Sequence, residues 1–278
     1  MKKYTTLILT FIFTIATVVF SETAEIGVFN TLRLGRSKNK DYIALAKAIE
    51  KQDITGIVEV MTREGIEKLV MALEEITGER YDYHLTPYSV GKSGYKEYYG
   101  YVWKSDKVTF LKPVGFYKDE ENFYMRPPYG ADFKIGNFDF TFVLTHIIYG
   151  KKESHRRAEV FKLDEVYDYF QDLDPEENDI IIGGDFNLSA RDEAFELLLQ
   201  HRDKIINTVD PSIKTTIGTK GFANAYDNIF ISTKYTKEYT GESGAIDYTG
   251  GDYKTVRKVV SDHLPVFIKV DISGEDDD

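Results

Sequence analysis

Nine polar side chains stand where a buried core has no use for them. The apolar segment IGVFN ends on Asn30, GIVEV carries Glu59 and TFVLTH ends on His146; IIIGGDFN closes with Asp185 and Asn187, NAYDNIF holds Asp227 and Asn228, and VVSDHLPVF carries Asp262 and His263. Taken singly, an Asn or Asp at a strand end is a turn former or a helix N-cap. Taken together they ask for more, because unpaired acids are rarely buried and strand ends converge when strands pack in one sheet or in facing sheets. A cluster of carboxylate and amide oxygens without thiols suits a hard cation, Mg²⁺ or Mn²⁺, rather than zinc. Such a cation polarises a phosphoryl oxygen and stabilises a leaving oxyanion, while the two histidines, titrating near neutrality, can move protons. The chemistry implied is metal-assisted hydrolysis of a phosphoester.

The other three histidines have ordinary settings. His84 lies in a Tyr-rich segment, His155 opens the basic run SHRR, and His201 ends a helical pattern where it can meet the helix dipole. They read as structural or solvated.

The elements that must position these groups alternate along the chain. Residues 25–30 and 54–60 read as strands; residues 41–50 form a helical pattern with Ile43, Ala46 and Ile49 on one face. Residues 62–76 form a second helix, closed by Gly78 as a C-cap. Between residues 98 and 147 the short aromatic and β-branched segments YYGYVWK, KVTFLKPVGFY, YGADFKIG and FDFTFVLTHI predict antiparallel strands. A helix over 154–170, a strand over 179–187, a helix over 191–200 and strands over 227–232 and 264–272 follow. No internal repeat or linker divides this pattern. The expected architecture is α/β, two packed mixed β-sheets forming a sandwich flanked by helices, in a single domain over residues 22–272.

Composition narrows the function classes. With 278 residues, 42% of them apolar, and 20 Tyr and 18 Phe, the chain can bury a large core. Residues 1–21, MKKYTTLILTFIFTIATVVFS, have the basic start and apolar stretch of a secretory signal, with Val19 and Ser21 suited to the positions before cleavage. An uncleaved membrane anchor is the alternative, because the apolar run approaches bilayer-spanning length. Both imply export, to a secreted or periplasmic location. The absence of cysteine excludes disulfides and acylation on Cys. Loss of Lys2 and Lys3 with the signal leaves 33 of the 35 basic residues against 46 acids and takes the net charge from −11 to −13. So acidic a chain is no passive nucleic-acid binder, and a phosphate substrate must be met by local basic residues or metal ions. The end, residues 273–278, reads as a solvated acidic tail.

FNTLRLG, GIVEV, GGDFN and SDHLPV resemble, in order and spacing, the motifs of the endonuclease/exonuclease/phosphatase superfamily over nearly all of the chain after residue 21. More narrowly, GKSGYKEYYGYVWKSDKV, FYMRPPYGADFKIG and NAYDNIFI are similar to segments of secreted deoxyribonuclease I. The resemblance implies a Mg²⁺-dependent endonuclease, with Mn²⁺ as a substitute and Ca²⁺ as a structural ion, that acts as a monomer on double-stranded DNA and leaves 5′-phosphate ends. It implies Glu59 as the principal metal ligand with Asn30 and Asp262 near the same ion, and Asp185 and Asn187 on the scissile phosphate. His263 oriented by Asp227, and His146 oriented by Glu97, would be the base and acid pair. Tyr95 would stack in the minor groove, Arg126 would contact phosphate or groove, and Thr219 would stand for the phosphate-contacting threonine. The sequence departs from the family at Val58, where glutamine is usual, in its lack of disulfides, and in the loop TTIGTKGFAN. Two other readings share the scaffold: a secreted sphingomyelin or phospholipid phosphodiesterase, and a catalytically dead surface-binding protein. The first should carry an apolar membrane-contacting hairpin, but KPVGFYKDEENFY is charged at residues 118–121. The second should have lost a ligand or a histidine, and all are present.

Overall fold

The computed structural model describes residues 22–92, 94–174, 176–274 and 276. The signal expected over residues 1–21 lies outside the described residues, as do tail positions 275, 277 and 278. Gly274 and Asp276 of the tail do meet the domain, accepting from Asn137 Nδ2 at 2.9 Å and from the Asp139 N–H at 3.0 Å. No described helix is long and apolar enough to cross a membrane.

The chain runs β1 (Thr23–Leu34), α1 (Tyr42–Ile49), β2 (Ile54–Val60), α2 (Arg63–Thr77), β3 (Tyr81–Leu85), β4 (Val90–Lys92), β5 (Tyr95–Lys104), β6 (Val108–Phe116), β7 (Tyr129–Ile135) and β8 (Phe138–His146). It continues through α3 (Glu153–Val160), α4 (Leu163–Leu173), β9 (Ile180–Asp185), a 3₁₀ turn (Glu193–Phe195), α5 (Glu196–Leu199), β10 (Ile205–Asn207), β11 (Asp227–Ser232), β12 (Tyr239–Ala245), α6 (Tyr253–Val259) and β13 (Val266–Asp271). One sheet has the order β12-β13-β1-β2-β5-β3, with β4 paired to β5; the other has the order β10-β11-β9-β8-β7-β6. Each is antiparallel except for one central parallel pair, β1 with β2 and β8 with β9. Parallel neighbours need a crossover, supplied by α1 in the first sheet and by α3 and α4 in the second.

Apolar side chains sort into three layers. Ile26, Val28, Ile54, Val58, Tyr101, Phe133, Phe140, Phe142 and Ile229 fill the space between the sheets. Phe29, Leu45, Ile57, Leu69 and Leu73 join α1 and α2 to the outer face of the first sheet, and Val143, Val166, Phe170 and Ile182 join α4 to that of the second. The sandwich flanked by helices is therefore the observed architecture. Glycines set its closest approach: a Cβ on Gly183 would lie 2.5 Å from Val28 Cγ2, and one on Gly184 only 1.8 Å from the Thr145 carbonyl oxygen. The pair Gly183-Gly184 thus lets β9 lie against β1 and β8, immediately before Asp185.

Capping matches the expected helix starts. Asp41 accepts from the Ala44 N–H at 2.9 Å, Thr62 accepts from the Gly65 N–H at 3.1 Å, and Gly78 closes α2 in the left-handed region. Other expectations need correction. The helix over 154–170 is two helices broken at Phe161 and Lys162; beside the break Glu159 turns inward to accept from the Met125 and Ile148 N–H groups at 2.7 Å each. The helix over 191–200 is a 3₁₀ turn and one turn of α5, and the last strand begins at Val266 rather than 264. β3, β4, β10, β12 and α6 are not among the expected elements; α6 is short, with Val256 and Val259 only partly covered by the core, so its apolar face gives a weak signal.

Lys40 staples two of the pieces that matter most. Its ammonium donates to the carbonyls of Thr31 at 2.9 Å, Leu32 at 2.7 Å and Val260 at 2.8 Å, tying the end of β1 to the segment after α6. Burial presses its pKa down to about 8, against the pull of Glu59 and Asp262. Lys40→Met is expected to cost about 3 kcal/mol of unfolding free energy, because buried carbonyls lose charged donors; an unchanged urea midpoint would contradict that role.

Candidate active site

The strand ends meet in one row. His146 at the end of β8 lies beside Asp185 at the end of β9 in parallel register, and Asp227 at the start of β11 lies opposite Asp185 in antiparallel register. The first sheet brings Asn30 from β1, Glu59 from β2 and Glu97 from β5 to the same end. Here both ladders of β2 slip, between Asn30 and Leu34 and between Ile57 and Val60. Leu32, Arg33, Glu59 and Asn187 all have positive φ, 46°, 57°, 62° and 50°. Left-handed backbone costs a non-glycine residue roughly 1–2 kcal/mol, and its concentration here means the surrounding contacts impose it. The bulge aims the Glu59 carboxylate into the cleft, where it accepts from the Arg33 N–H at 3.0 Å and from the Tyr95 hydroxyl at 2.6 Å.

The two imidazoles are built alike. His146 Nδ1 lies 2.7 Å from Glu97 Oε1, and His263 Nδ1 lies 2.8 Å from Asp227 Oδ2; both histidines and both acids are buried. The remaining nitrogens, both Nε2, stand 3.5 Å from the same atom, Asp185 Oδ2. A carboxylate on one ring nitrogen fixes the tautomer and raises the basicity of the other. The Thr215 hydroxyl donates to Asp227 Oδ2 at 2.6 Å and accepts from the N–H groups of Tyr226 and Asp227. Residues 261–265 precede the regular strand. The Ile217 N–H donates to the Asp262 carbonyl at 2.7 Å, the Leu264 N–H to Thr215 at 2.7 Å, and the Ser261 hydroxyl to the Asn30 carbonyl at 2.6 Å. Because alternation starts only at Val266, Asp262 and His263 can both line one cleft of about 770 Å³.

Burial works against charge on both members of the His263–Asp227 pair. For His263 it is outweighed by Asp227, Asp185 and Asp262, which push its pKa up to about 10. For Asp227 burial and the neighbouring Asp185 prevail over His263 and raise the carboxyl to about 6. The short contacts favour imidazolium against carboxylate near neutrality. His146 is also raised, with burial and Arg126 opposing and Glu97 and Asp185 prevailing. Glu59 is held low by His146, the Tyr95 hydroxyl and His263 in spite of its burial. For the metal-free protein, His263 protonation stabilises the fold fully below the ordinary histidine pKa, and this contribution is lost as pH rises through about 10. An NMR titration should show the His263 ring still protonated at about pH 8, with Asp227→Asn lowering its pKa; a ring neutral at that pH in the unsubstituted protein would refute the pairing.

Several expected roles take a different form. Asn30 offers the cleft its amide nitrogen, donating to Asp185 Oδ2 at 3.0 Å and Glu59 Oε1 at 3.3 Å, while its oxygen accepts from the Leu32 N–H. Its amide nitrogen thus bridges the two carboxylates. Arg126 is 3% exposed and does not reach outward: Nε and Nη2 donate to the carbonyls of His146 and Ile147, and Nη1 lies 3.7 Å from Glu97 Oε2. Tyr95 lines the cleft, but its hydroxyl is bound to Glu59. Thr219 sits exposed on a turn outside the cleft, and it is Thr216, buried beside His263, that lines it. Asn187 donates from Nδ2 to the Ile147 carbonyl at 2.8 Å, and Asp262 lies 3.6 Å from Arg257 Nη2. Thr215, Ser261, Lys40 and Arg33 are not among the expected site residues, although Ser261 stands inside SDHLPV and Arg33 inside FNTLRLG. Of the histidines set aside, His84 bonds the Tyr129 hydroxyl and His201 meets Asp168, while His155 lies on the cleft wall.

Glu59, Glu97, Asp185 and Asp227 put four buried carboxylates at this end of the sandwich, and Glu97 Oε2 has no hydrogen-bond partner. Carboxylate oxygens gathered in this way are hard donors of the kind a divalent cation takes. Asp185, Asp227 and His263 offer ligand atoms within 4.8 Å of one another and could hold one. Since His263 and Asp227 already satisfy each other, Glu59 and Asp185 are the better donors.

No family model matches the chain. A deoxyribonuclease of Thioalkalivibrio sp. (strain K90mix) is 28% identical over 256 residues, 88% of this chain and 70% of the relative. Deoxyribonuclease-1-like 1 of Sus scrofa is 25% identical over 263 residues, 90% of this chain and 82% of the relative. Among solved structures, a humanized D. rerio TDP2 matches with a TM-score of 0.63 and 15% identity, over 89% of this chain and 98% of that one. An endonuclease/exonuclease/phosphatase family protein from Leptotrichia buccalis C-1013-b matches with a TM-score of 0.61 and 17% identity, over 89% and 99%. Sequence relatives and structural neighbours thus agree with the superfamily resemblance carried by GDFN and SDHLPV.

Proposed function

We propose that this chain is an exported, Mg²⁺-dependent endonuclease that hydrolyses the phosphodiester bonds of double-stranded DNA as a monomer and leaves 5′-phosphate ends. The observation that carries the reading is the convergence of two carboxylate-held imidazoles, each with Nε2 3.5 Å from Asp185 Oδ2. The deoxyribonuclease names of the sequence relatives support the substrate, and the character of residues 1–21 supports export.

In-line hydrolysis needs a proton taken on one side of phosphorus and given on the other. His263 takes the proton of the attacking water as its oxygen bonds to phosphorus. The bond to the 3′ oxygen breaks with its electron pair, which accepts a proton from His146, leaving a 3′-hydroxyl and a 5′-phosphate. Asp227 and Glu97 keep the two rings oriented, and Arg126 fixes the carbonyl of His146. Glu59 and Asp185, with Asp262 nearby, would hold the cation, with Mn²⁺ able to replace Mg²⁺. When bound, it supplies positive charge that polarises the phosphoryl group and offsets the carboxylate field on the imidazoles. Arg33, Lys92, Lys151 and Arg257 line the cleft and give an acidic protein its local attraction for phosphate.

Supercoiled plasmid with Mg²⁺ should be converted to nicked circles, and EDTA should abolish this. Absence of nicking at every pH from about 5 to 9, the range where histidine titrates, would overturn the reading. RNA and sphingomyelin run in parallel; release of phosphocholine or choline without nicking would assign the site to a lipid phosphodiester instead.

A further inference from the structure

One wall of the cleft carries groups that the hydrolysis itself does not use. Tyr149, Lys151 and His155, from the segment after β8, face Tyr226 from the segment before β11. Tyr149 is 60% exposed, yet it is held. The Arg156 guanidinium lies 4.2 Å from its ring centroid, and Arg156 Nε donates to the Tyr149 carbonyl at 2.8 Å. The same guanidinium reaches the Asn187 carbonyl and the Tyr226 hydroxyl at 3.4 Å each. Gly150 has φ +61°, and a Cβ there would lie 2.8 Å from His155 Cβ, so the chain turns sharply just after the ring. The result is an aromatic surface fixed in place by a cation that also touches Asn187, a residue of the phosphate site.

A fixed, solvent-exposed ring backed by a guanidinium suits a flat conjugated group, and a nucleobase attached to the scissile phosphate is such a group. Bases inside a duplex have both faces covered by their neighbours, so only an unpaired base can offer one. We propose that Tyr149, backed by Arg156, is a stacking platform for an unpaired nucleobase beside the scissile phosphate. The site then accepts single-stranded and frayed DNA as well as duplex, an inference that rests on the nuclease reading above. Lys151, two residues along, supplies charge for the flanking phosphate.

The test pairs a substitution in the protein with one in the substrate. Wild type, Tyr149→Ala and Tyr149→Phe are assayed on a single-stranded oligonucleotide with natural bases and on one with a central run of abasic residues. Tyr149→Ala should lower kcat/KM on the natural strand by about 10-fold, mostly through KM, the scale of one lost base–ring stack. Within the abasic run the loss should shrink below about twofold, because the partner of the ring is already gone. Tyr149→Phe, which keeps the ring, should restore most of the activity on the natural strand. Equal losses on both strands, or no loss on either, overturn the platform while leaving the nuclease reading intact. If wild type cleaves plasmid but neither oligonucleotide, the platform is again overturned alone; if it cleaves no nucleic acid of any form, both fall together.

Discussion

Replacing His263 with alanine is expected to lower turnover on DNA by about 10²-fold or more, the usual scale for a group that takes a proton in the transition state. Its ring is held at one nitrogen by a carboxylate that is itself locked, by the Thr215 hydroxyl, while the other nitrogen faces Asp185. Losing the ring removes the acceptor for the proton of water whatever the leaving group is. The loss should therefore be similar on plasmid and on a diester with a p-nitrophenyl leaving group. Asp227→Asn should give a smaller loss of about 10- to 100-fold, since it leaves the ring but not its tautomer or basicity. Rate measurements on both substrates check this, and near-normal activity of His263→Ala would refute the assigned role.

His146→Ala is expected to cost about 10²-fold on DNA as well, but with a different signature. A deoxyribose oxygen is a poor leaving group and needs a proton as its bond breaks; p-nitrophenolate needs none. The loss should therefore nearly vanish on the activated diester if His146 is the acid. The geometry also predicts how the ring is supported: Glu97 holds Nδ1, and Arg126 holds the backbone carbonyl of the same residue. Glu97→Gln should reproduce part of the loss, and the double variant His146→Ala/Glu97→Gln should be little worse than His146→Ala alone, because the two groups act as a unit. Equal losses on both substrates would reverse the assignment of acid and base.

Much of this was legible in residue types. GGDFN and SDHLPV marked Asp185, Asp262 and His263 because acids and a histidine interrupt runs whose other members, such as Ile181, Ile182, Val260 and Val266, are buried. Helical spacing located α1 and α2, whose caps Asp41, Thr62 and Gly78 behave as their chemistry suggests. The reading failed where periodicity carries no message. α6 buries its apolar face only in part, β12 is an edge strand rich in exposed residues, and the loop TTIGTKGFAN has no period to rank its threonines, of which Thr215 holds Asp227 and Thr216, not Thr219, lines the cleft. Arg126 and Tyr95 both line the cleft, but side-chain patterns do not foretell that the Arg126 guanidinium is spent on backbone carbonyls and the Tyr95 hydroxyl on Glu59.

The sequence by itself determined which ionisable groups are available and which strands carry them, because burial and alternation are properties of each segment alone. Only the tertiary structure decided that both rings converge on Asp185; the pairs Asp227 with His263 and Glu97 with His146 are implied by the resemblance, but no single segment's pattern carries them. Asn30 and Asp185 meet across 155 positions of chain and from different sheets. The physical reason is that one segment's periodicity reports which of its faces is buried, whereas the offset between two sheets is set by packing. Here that packing is the close approach that Gly183 permits to Val28 and Gly56 to Leu144.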